Sequence, residues 1–183
     1  GFSSHRVSLS NGNNASYLKE NFSDTNKLTN QLALLEAIRT EIAKQLDSYS
    51  NYDKIRYVHN WMINNIEYDS YLEAEEPYSI SGALTEGKAV CEGYARGFKY
   101  IMDGLGIPCV LVSGEAINSH GETESHAWNY VQLDGNWYAV DVTWDDPIII
   151  GNGTVGNDVR YRYFLKGSTN FLDTHFEDGY LSP

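Results

Sequence analysis

Three segments of the chain repeat apolar residues every three or four positions, the spacing of an amphipathic α-helix. They cover residues 29–47, 53–66 and 91–104, and Asp53 is placed to cap the second of them. Gly104 and Gly106 follow the third segment and favour its termination there. The apolar positions that define the three helices are Leu32, Leu35, Ile38, Ile42, Leu46, Ile55, Val58, Met62, Ile66, Tyr94, Phe98, Ile101 and Leu105.

The pattern changes to that of β-strands after the third helix. Residues 109–112 form a short apolar run typical of a buried strand, and residues 125–133 and 136–143 predict two more strands. Between these two lies Asp134-Gly135, a dipeptide typical of a two-residue type I′ hairpin turn. The elements together predict an α+β fold in which the Cys91 helix packs on an antiparallel sheet of at least three strands.

The two ends of the chain carry weaker patterns. Residues 1–28 are polar and show no period, so they predict an N-terminal arm, whereas residues 29–183 predict a single domain. Residues 161–166 alternate like a strand. The tail from His175 onward is aromatic but aperiodic.

The hairpin turn determines which side chains of its two strands share a face. A two-residue loop places Trp128 opposite Asp141. Because side chains alternate, His126 shares that face and lies within hydrogen-bonding reach of Asp141. We expect this face to look toward Cys91. Trp128 would then line a substrate cleft and shield the hydrogen bond between His126 and Asp141 from water.

Cys91 is predicted to occupy the first turn of its helix. The unpaired amide N–H groups and the positive end of the helix dipole at that position favour an anion. They should therefore favour the thiolate over the thiol, whose free pKa is about 8.5. The second cysteine, Cys109, falls in the apolar run and is interpreted as a small core residue.

Three sequence segments together resemble the transglutaminase-like superfamily, which is related to papain-type cysteine peptidases. They are GKAVCEGYA around Cys91, ESHAWNYV around His126 and WYAVDVTWDDP around Asp141. The resemblance extends to YDKIRYVHNWMINNIEYD upstream and YRYFLKG downstream, so it covers about two-thirds of the chain. It implies a papain- or transglutaminase-like core with a Cys-His-Asp triad.

That resemblance implies acyl transfer on protein or peptide amides. Cys91 would attack a carboxamide or peptide carbonyl, His126 would act as base and then acid, and Asp141 would orient the imidazole. Hydrolysis of the thioester by water gives a peptidase or amidase, whereas attack by a lysine amine gives a transglutaminase cross-link. The sequence leaves this choice open.

The oxyanion hole needs donors besides the backbone N–H of Cys91. Family members use a side chain upstream of the cysteine, and Tyr68 is the predicted residue here. Trp61 and Tyr78 compete with it for that role. A lone histidine beside an apolar helix stripe is more often packed than functional, so His59 stays outside the predicted site.

Two alternatives to a cysteine enzyme remain. The first is an inactive transglutaminase-like module that binds or scaffolds within a cell-surface protein. The second is a zinc site, since Cys, His and Asp are all zinc ligands. The chain contains no C-x-x-C or H-E-x-x-H pair, so we expect neither a metal nor another cofactor.

Charge and composition narrow the range of partners. The chain has 183 residues and a formal net charge of −12, which argues against nucleic acid or an anionic membrane surface as a partner. Two cysteines leave little room for a structural disulfide. We expect a monomer that acts on a protein or peptide and has no transmembrane segment. The resemblance implies a bacterial protein in an extracellular or cell-surface location, with any signal peptide absent from this chain.

Overall fold

The computed structural model describes residues 25–146 and 156–182. The chain divides into two compact units, Gly1–Ile38 and Arg39–Pro183, and the second contains the whole sheet. Most of the predicted arm at 1–28 lies outside the described residues, and its last four residues, 25–28, begin the first helix. In the described part of the chain, no helix is long and apolar enough to cross a membrane.

The three predicted helices are confirmed, with small shifts at their ends. The helices are α1 (Thr25–Gln45), α2 (Asn51–Asn65), α3 (Cys91–Gly104), α4 (Asn157–Arg160) and α5 (Ser168–Phe171), and a π-helical turn covers Gly82–Glu86. The predicted Asp53 cap is wrong, because Ser50 caps α2 and its hydroxyl oxygen accepts from the Asp53 N–H at 3.1 Å. Asp53 lies in the first turn, where its carboxylate accepts from Ser50 Oγ at 2.8 Å.

Four antiparallel strands form the main sheet, in the order β5-β4-β3-β6, and a short parallel pair forms a second sheet. The strands are β1 (Glu67–Tyr68), β2 (Lys88–Ala89), β3 (Cys109–Ile117), β4 (Thr123–Leu133), β5 (Asn136–Val140) and β6 (His175–Ser182). The antiparallel sheet and the α+β class are thus confirmed. Residues 161–166 are not a strand, and only Lys166 forms an isolated bridge, to Ala139.

The predicted hairpin register between β4 and β5 is confirmed. Leu133 pairs with Asn136, and both turn residues have positive φ, 52° at Asp134 and 79° at Gly135, as a type I′ turn requires. β5 ends at Val140, which pairs with Asn129, and does not continue to Thr143. The part of β4 before Asn129 therefore has no β5 residues beside it.

The helix α3 packs on one face of this sheet. Ala95 of α3 packs with Leu111 and Ala127, and the Asn129 side chain donates to the Ala95 carbonyl at 3.0 Å. The opposite face forms a separate apolar cluster of Val112, Trp128, Ala139 and Phe171. The prediction that this face looks toward the Cys91 helix is therefore wrong for Trp128, because successive side chains of β4 alternate and α3 lies against Ala127.

Small residues let the start of α3 approach β2 closely. A Cβ atom added at Gly93 would lie 2.5 Å from the Pro77 carbonyl oxygen and 2.7 Å from the Ala89 Cβ. Neither backbone nor methyl group can yield that space cheaply. This close approach fixes the helix start, and with it Cys91, against β2.

Candidate active site

Cys91 is the first residue of α3, as predicted, and follows the N-cap residue Val90. It is partly buried, and it packs against Ala95, Leu111 and Ala127. β2 ends two residues before it, so the close packing of β2 on α3 positions its backbone. A cysteine here has unpaired helix N–H groups around it and one side open to solvent.

His126 and Asp141 make the contact predicted from the hairpin. Nε2 of His126 lies 2.6 Å from Oδ2 of Asp141, and both side chains are buried. Because β5 stops at Val140, Asp141 begins a turn beside the unpaired part of β4 that carries His126. The Cys91 side chain also acts on this imidazole, since it raises the pKa of His126. With Nε2 used by Asp141, Nδ1 is the ring nitrogen available to Cys91.

His126 and Asp141 each shift the pKa of the other. Burial alone would lower the pKa of His126, but the charge of Asp141, the hydrogen bond that His126 donates to Asp141 and the neighbouring Cys91 raise it well above the ordinary value. Burial would raise the pKa of Asp141, but His126 and His175 hold it below the usual range of a carboxyl. The pair is thus an imidazolium and a carboxylate at neutral pH.

Asp141 receives more hydrogen bonds than the sequence predicted. Its Oδ2 also accepts from Nε2 of His175 at 2.8 Å, and its Oδ1 accepts from the Trp144 N–H at 3.1 Å. His175 lies on β6, whose pairing partner β3 is distant in sequence, so no local pattern pointed to it. The signal that could have found it is a polar imidazole within an aromatic tail.

Aromatic rings enclose the two imidazoles. The His126 ring lies 4.7 Å from the Trp144 ring and 6.0 Å from the Trp128 ring, and the His175 ring stacks on Phe171 at 3.8 Å. Trp128 is 1% exposed, so it packs in the core beside the histidines, and the predicted role of lining a substrate cleft finds no exposed indole surface. Its proximity agrees with the predicted shielding from water.

The same three polar side chains form a possible metal-ligand set. Ligand atoms of His126, Asp141 and His175 all lie within 4.8 Å of one another, and two imidazoles with one carboxylate suit a divalent transition metal. In the structure those atoms are already hydrogen-bonded to each other. The donor set therefore fits a metal, but its contacts are accounted for without one.

Tyr68, the predicted oxyanion donor, lies next to the segment that leads into Cys91. It pairs with Ala89 across the two short strands and is half-buried. Burial raises its pKa, and the charges of Cys91 and Glu124 raise it further, which places the phenol in the electrostatic neighbourhood of the thiol. Of its two rivals, Trp61 is partly buried and Tyr78 is exposed.

A second histidine–aspartate pair lies outside the predicted site. Nε2 of His59 is 2.9 Å from Oδ2 of Asp145, and both side chains are fully buried. The His59 ring stacks on Tyr161 at 5.3 Å. The expectation that His59 is packed is confirmed, but its carboxylate partner, 86 residues away, was not foreseen.

The sequence model of the transglutaminase-like superfamily matches residues 36–142, a segment that includes Cys91, His126 and Asp141. The chain belongs to the transglutaminase-like superfamily. Among solved structures of this type, the transglutaminase-like chain aligns with a crystal structure described as a TGase, with a TM-score of 0.52 and 18% identity over 85% of this chain and 40% of that one. That likeness concerns the fold.

Two relatives carry the name kyphoscoliosis peptidase. The mouse protein is 29% identical over 144 residues, and the human protein is 27% identical over 146 residues. Each alignment covers 72% of this transglutaminase-like chain but only 22% of the relative. The chain therefore spans about a fifth of the length of the relatives it matches.

Proposed function

We propose that this protein is a cysteine-dependent acyl-transfer enzyme acting on peptide or protein amides. Cys91 is the nucleophile, His126 the general base and acid, and Asp141 the carboxylate that orients the imidazole. The single observation that carries the proposal is the connected set of contacts. His126 hydrogen-bonds to Asp141 at 2.6 Å through Nε2, and the neighbouring Cys91 side chain raises the pKa of the same imidazole.

The chemistry follows from those contacts. In the resting site the proton of Cys91 resides on Nδ1 of His126, and the thiolate of this thiolate–imidazolium pair attacks the carbonyl carbon of the amide. As the C–N bond breaks, His126 gives its Nδ1 proton to the leaving amine and a thioester to Cys91 remains. Water or a second amine then attacks the thioester while the neutral His126 accepts its proton, and the thiolate–imidazolium pair is restored.

Asp141 stabilises the positive charge that His126 carries in this cycle. The carboxylate fixes the Nε2–H tautomer, so that Nδ1 faces the thiol. Aromatic burial keeps water away from the hydrogen bond and strengthens the interaction of the two charges. A carboxylate with a lowered pKa stays ionised at any pH where a thiolate forms.

The developing oxyanion requires donors near Cys91. We propose that the backbone N–H of Cys91 and the hydroxyl of Tyr68 supply them. Support comes from the position of Cys91 at the start of α3 and from the electrostatic coupling of Tyr68 to Cys91.

Hydrolysis of peptides is the favoured outcome of the two that share this chemistry. The support is the name of the mouse and human relatives, kyphoscoliosis peptidase, whose matched segment is this domain. Transfer to a lysine amine uses the same thioester and differs only in the attacking group. The proposed location, outside the cell or at its surface, rests on the family resemblance and is tested by fractionating the source cells.

The test compares Cys91→Ser with Cys109→Ser as the matched control. Cys109 is buried, and burial raises the pKa of its thiol, so it should contribute no reactivity. The purified protein is incubated with iodoacetamide at pH 7, with a fluorogenic peptide library, and with a dansyl-amine plus a glutamine-containing protein.

We expect one equivalent of rapid labelling and peptide cleavage in the wild type and in Cys109→Ser, and neither in Cys91→Ser. Dansyl incorporation without cleavage would assign transamidation instead. A Cys91 thiol that reacts only in denaturant, with no turnover of either substrate, would contradict the enzyme and leave a binding module.

A further inference from the structure

His175 is a second imidazole on the catalytic carboxylate. Its Nε2 donates to Oδ2 of Asp141 at 2.8 Å, the same oxygen that His126 contacts at 2.6 Å. The residue is 0% exposed and comes from β6, 34 residues beyond Asp141. The acyl-transfer cycle assigns it no step, yet burying an imidazole is costly unless its nitrogens are satisfied.

The hydrogen bonds of His175 suit an imidazole that donates through Nε2. Because an ionised carboxylate oxygen only accepts, the Nε2 that lies 2.8 Å from Oδ2 of Asp141 is the donor of that bond. Nδ1 lies 2.8 Å from the hydroxyl of Thr174, which can donate to it, and the other acceptor of that hydroxyl, the Phe171 carbonyl, is farther away at 3.5 Å. Two imidazolium rings on one buried carboxylate would leave an uncompensated positive charge, so the proposed cycle assigns its proton transfers to His126 and gives His175 the role of an Nε2–H donor.

We propose that His175 is a positioning residue, whose Nε2–H holds the Asp141 carboxylate ionised and aligned with His126. The role rests on the proposed function, since it acts on Cys91 only through Asp141 and His126. With His126 and His175 both on Oδ2 and the Trp144 N–H on Oδ1, the carboxylate has a donor at each oxygen and cannot rotate without losing one.

The charged and titratable groups around Asp141 define what the removal of His175 should change. Burial raises the pKa of Asp141, while the charge of His126 and the hydrogen bonds of His126 and His175 lower it. Asp145 and Tyr163 also interact electrostatically with Asp141. Without the His175 donor, Asp141 should protonate at a higher pH, and it should stabilise the His126 cation less.

A purely structural role is the rival explanation. The His175 ring stacks on Phe171 at 3.8 Å and meets the Trp144 and Trp128 rings edge-on at 4.8 and 4.9 Å. An aromatic ring in this position would contribute to packing whether or not it donates to Asp141. The two roles require different atoms, so two substitutions separate them.

The experiment uses His175→Phe and His175→Gln in the full chain. Phenylalanine keeps an aromatic ring for Phe171 but removes the donor, whereas glutamine removes the ring but places an N–H donor at a similar reach. Each variant is measured for melting temperature, for kcat and KM with a cleaved peptide, and for the rate of Cys91 alkylation between pH 4 and pH 10.

The positioning role predicts that His175→Phe lowers kcat at least about tenfold with little change in KM, since a hydrogen bond to a charged group is lost. The onset of rapid alkylation should move to higher pH, because Asp141 would protonate at a higher pH and the less stabilised His126 cation would favour the thiolate less. His175→Gln should restore most of kcat even if its melting temperature falls. Chelation by EDTA should leave the wild-type rate unchanged.

Two results would overturn the positioning role while leaving the proposed function intact. One is a His175→Phe variant with the same kcat and the same pH dependence of Cys91 alkylation as an active wild type, while His175→Gln has the lower kcat. The other is a wild-type activity that EDTA removes and zinc restores, because His175 would then be a metal ligand. A wild type that neither turns over peptide nor alkylates rapidly would instead contradict the proposed function itself.

Discussion

The turn after β5 carries two buried aspartates, Asp141 and Asp145, and each bonds a buried histidine through Nε2 and Oδ2. Their titrations move in opposite directions. The pKa of Asp141 is lowered by His126 and His175, whereas burial raises the pKa of Asp145 to about 6, an effect that His59 only partly offsets. Pairing with one histidine therefore does not by itself hold the pKa of a buried carboxyl below its ordinary value.

The number of donors explains the difference between the two aspartates. Asp141 accepts from two imidazoles and the Trp144 N–H, while Asp145 accepts from His59 and the Tyr163 N–H. Asp145 also lies near the negative charge of Asp141, which raises its pKa further. A charged carboxylate suits a site beside a reacting thiol, and a carboxyl that titrates near pH 6 suits a structural contact.

Replacing each aspartate by asparagine should give the largest difference in kcat between the two histidine–aspartate pairs. Asp141→Asn removes the charge that supports the His126 cation, and we expect kcat to fall on the order of 10³-fold or more. Asp145→Asn should leave kcat within about threefold and lower stability by about 1–3 kcal/mol, because a buried hydrogen bond to His59 is weakened. Peptide hydrolysis and denaturant unfolding measure the two effects. An equal loss of kcat in both variants would contradict the view that Asp141 serves the reaction and Asp145 serves only the structure.

Removing the hydroxyl of a tyrosine beside each histidine–aspartate pair should give the next largest difference in kcat. Tyr68→Phe removes the proposed oxyanion donor, and we expect kcat to fall about 10²-fold with KM nearly unchanged. Tyr161→Phe is the matched control, since its hydroxyl donates to Asn60 at 2.8 Å beside His59 and far from any reacting atom. A Tyr68→Phe enzyme with wild-type kcat would return the oxyanion role to Trp61 or Tyr78.

The two aspartates should also differ in how pH changes stability. A carboxyl with a raised folded pKa stabilises the protein at low pH and loses that contribution as pH rises through its folded value. Asp145 and Asp146, each at about 6, should therefore make the melting temperature higher at pH 5 than at pH 7. The change should be a few degrees, the shift that about 1 kcal/mol produces in a domain of this size.

The matched variants test that assignment. Asp145→Asn should reduce the difference in melting temperature between pH 5 and pH 7. Asp141→Asn should lower the melting temperature more at pH 5 than at pH 7. The stabilisation from the lowered carboxyl pKa is complete at both pH values, but the stabilisation from the raised pKa of His126, which depends on Asp141, is complete only below the unfolded histidine pKa near 6.5. A smaller penalty at pH 5 than at pH 7 would contradict the coupling of His126 to Asp141.

Trp128→Ala should reduce stability as well as activity, whereas the sequence placed Trp128 in a substrate cleft. The indole is 1% exposed and lies 4.9 Å from the His175 ring and 5.9 Å from the Phe171 ring. We expect a loss of about 3–5 kcal/mol in unfolding free energy, typical of a large aromatic removed from a core. Chemical denaturation of wild type and variant measures it, and an unchanged midpoint would contradict the buried position.

Local sequence patterns predicted the parts of the site that depend on short-range geometry. The helix period located Cys91 at the start of α3, and the Asp134-Gly135 turn set the register that brings His126 to Asp141. Each depends on neighbours within one helix or one hairpin, where residue spacing maps directly onto space.

The parts that were missed depend on contacts between distant segments. His175 reaches Asp141 only because β6 pairs with β3 across a register shift between Val112 and Gly114. The early end of β5 was missed because the N–H of Asp141 bonds to the Tyr163 carbonyl and not to β4. The alternation of polar and apolar residues at 161–166 wrongly predicted a strand, since tertiary packing and not sheet pairing explains the buried positions there.

The most direct test of the account is the ultraviolet absorbance of the Cys91 thiolate in a Cys109→Ser background. We predict thiolate absorbance at pH 6 in this protein that disappears in Cys91→Ser and falls sharply in His126→Gln, because the thiolate depends on the neighbouring imidazolium. Absorbance that develops only near pH 8.5, as for a free cysteine, and is the same with and without His126 would contradict the nucleophile and its base.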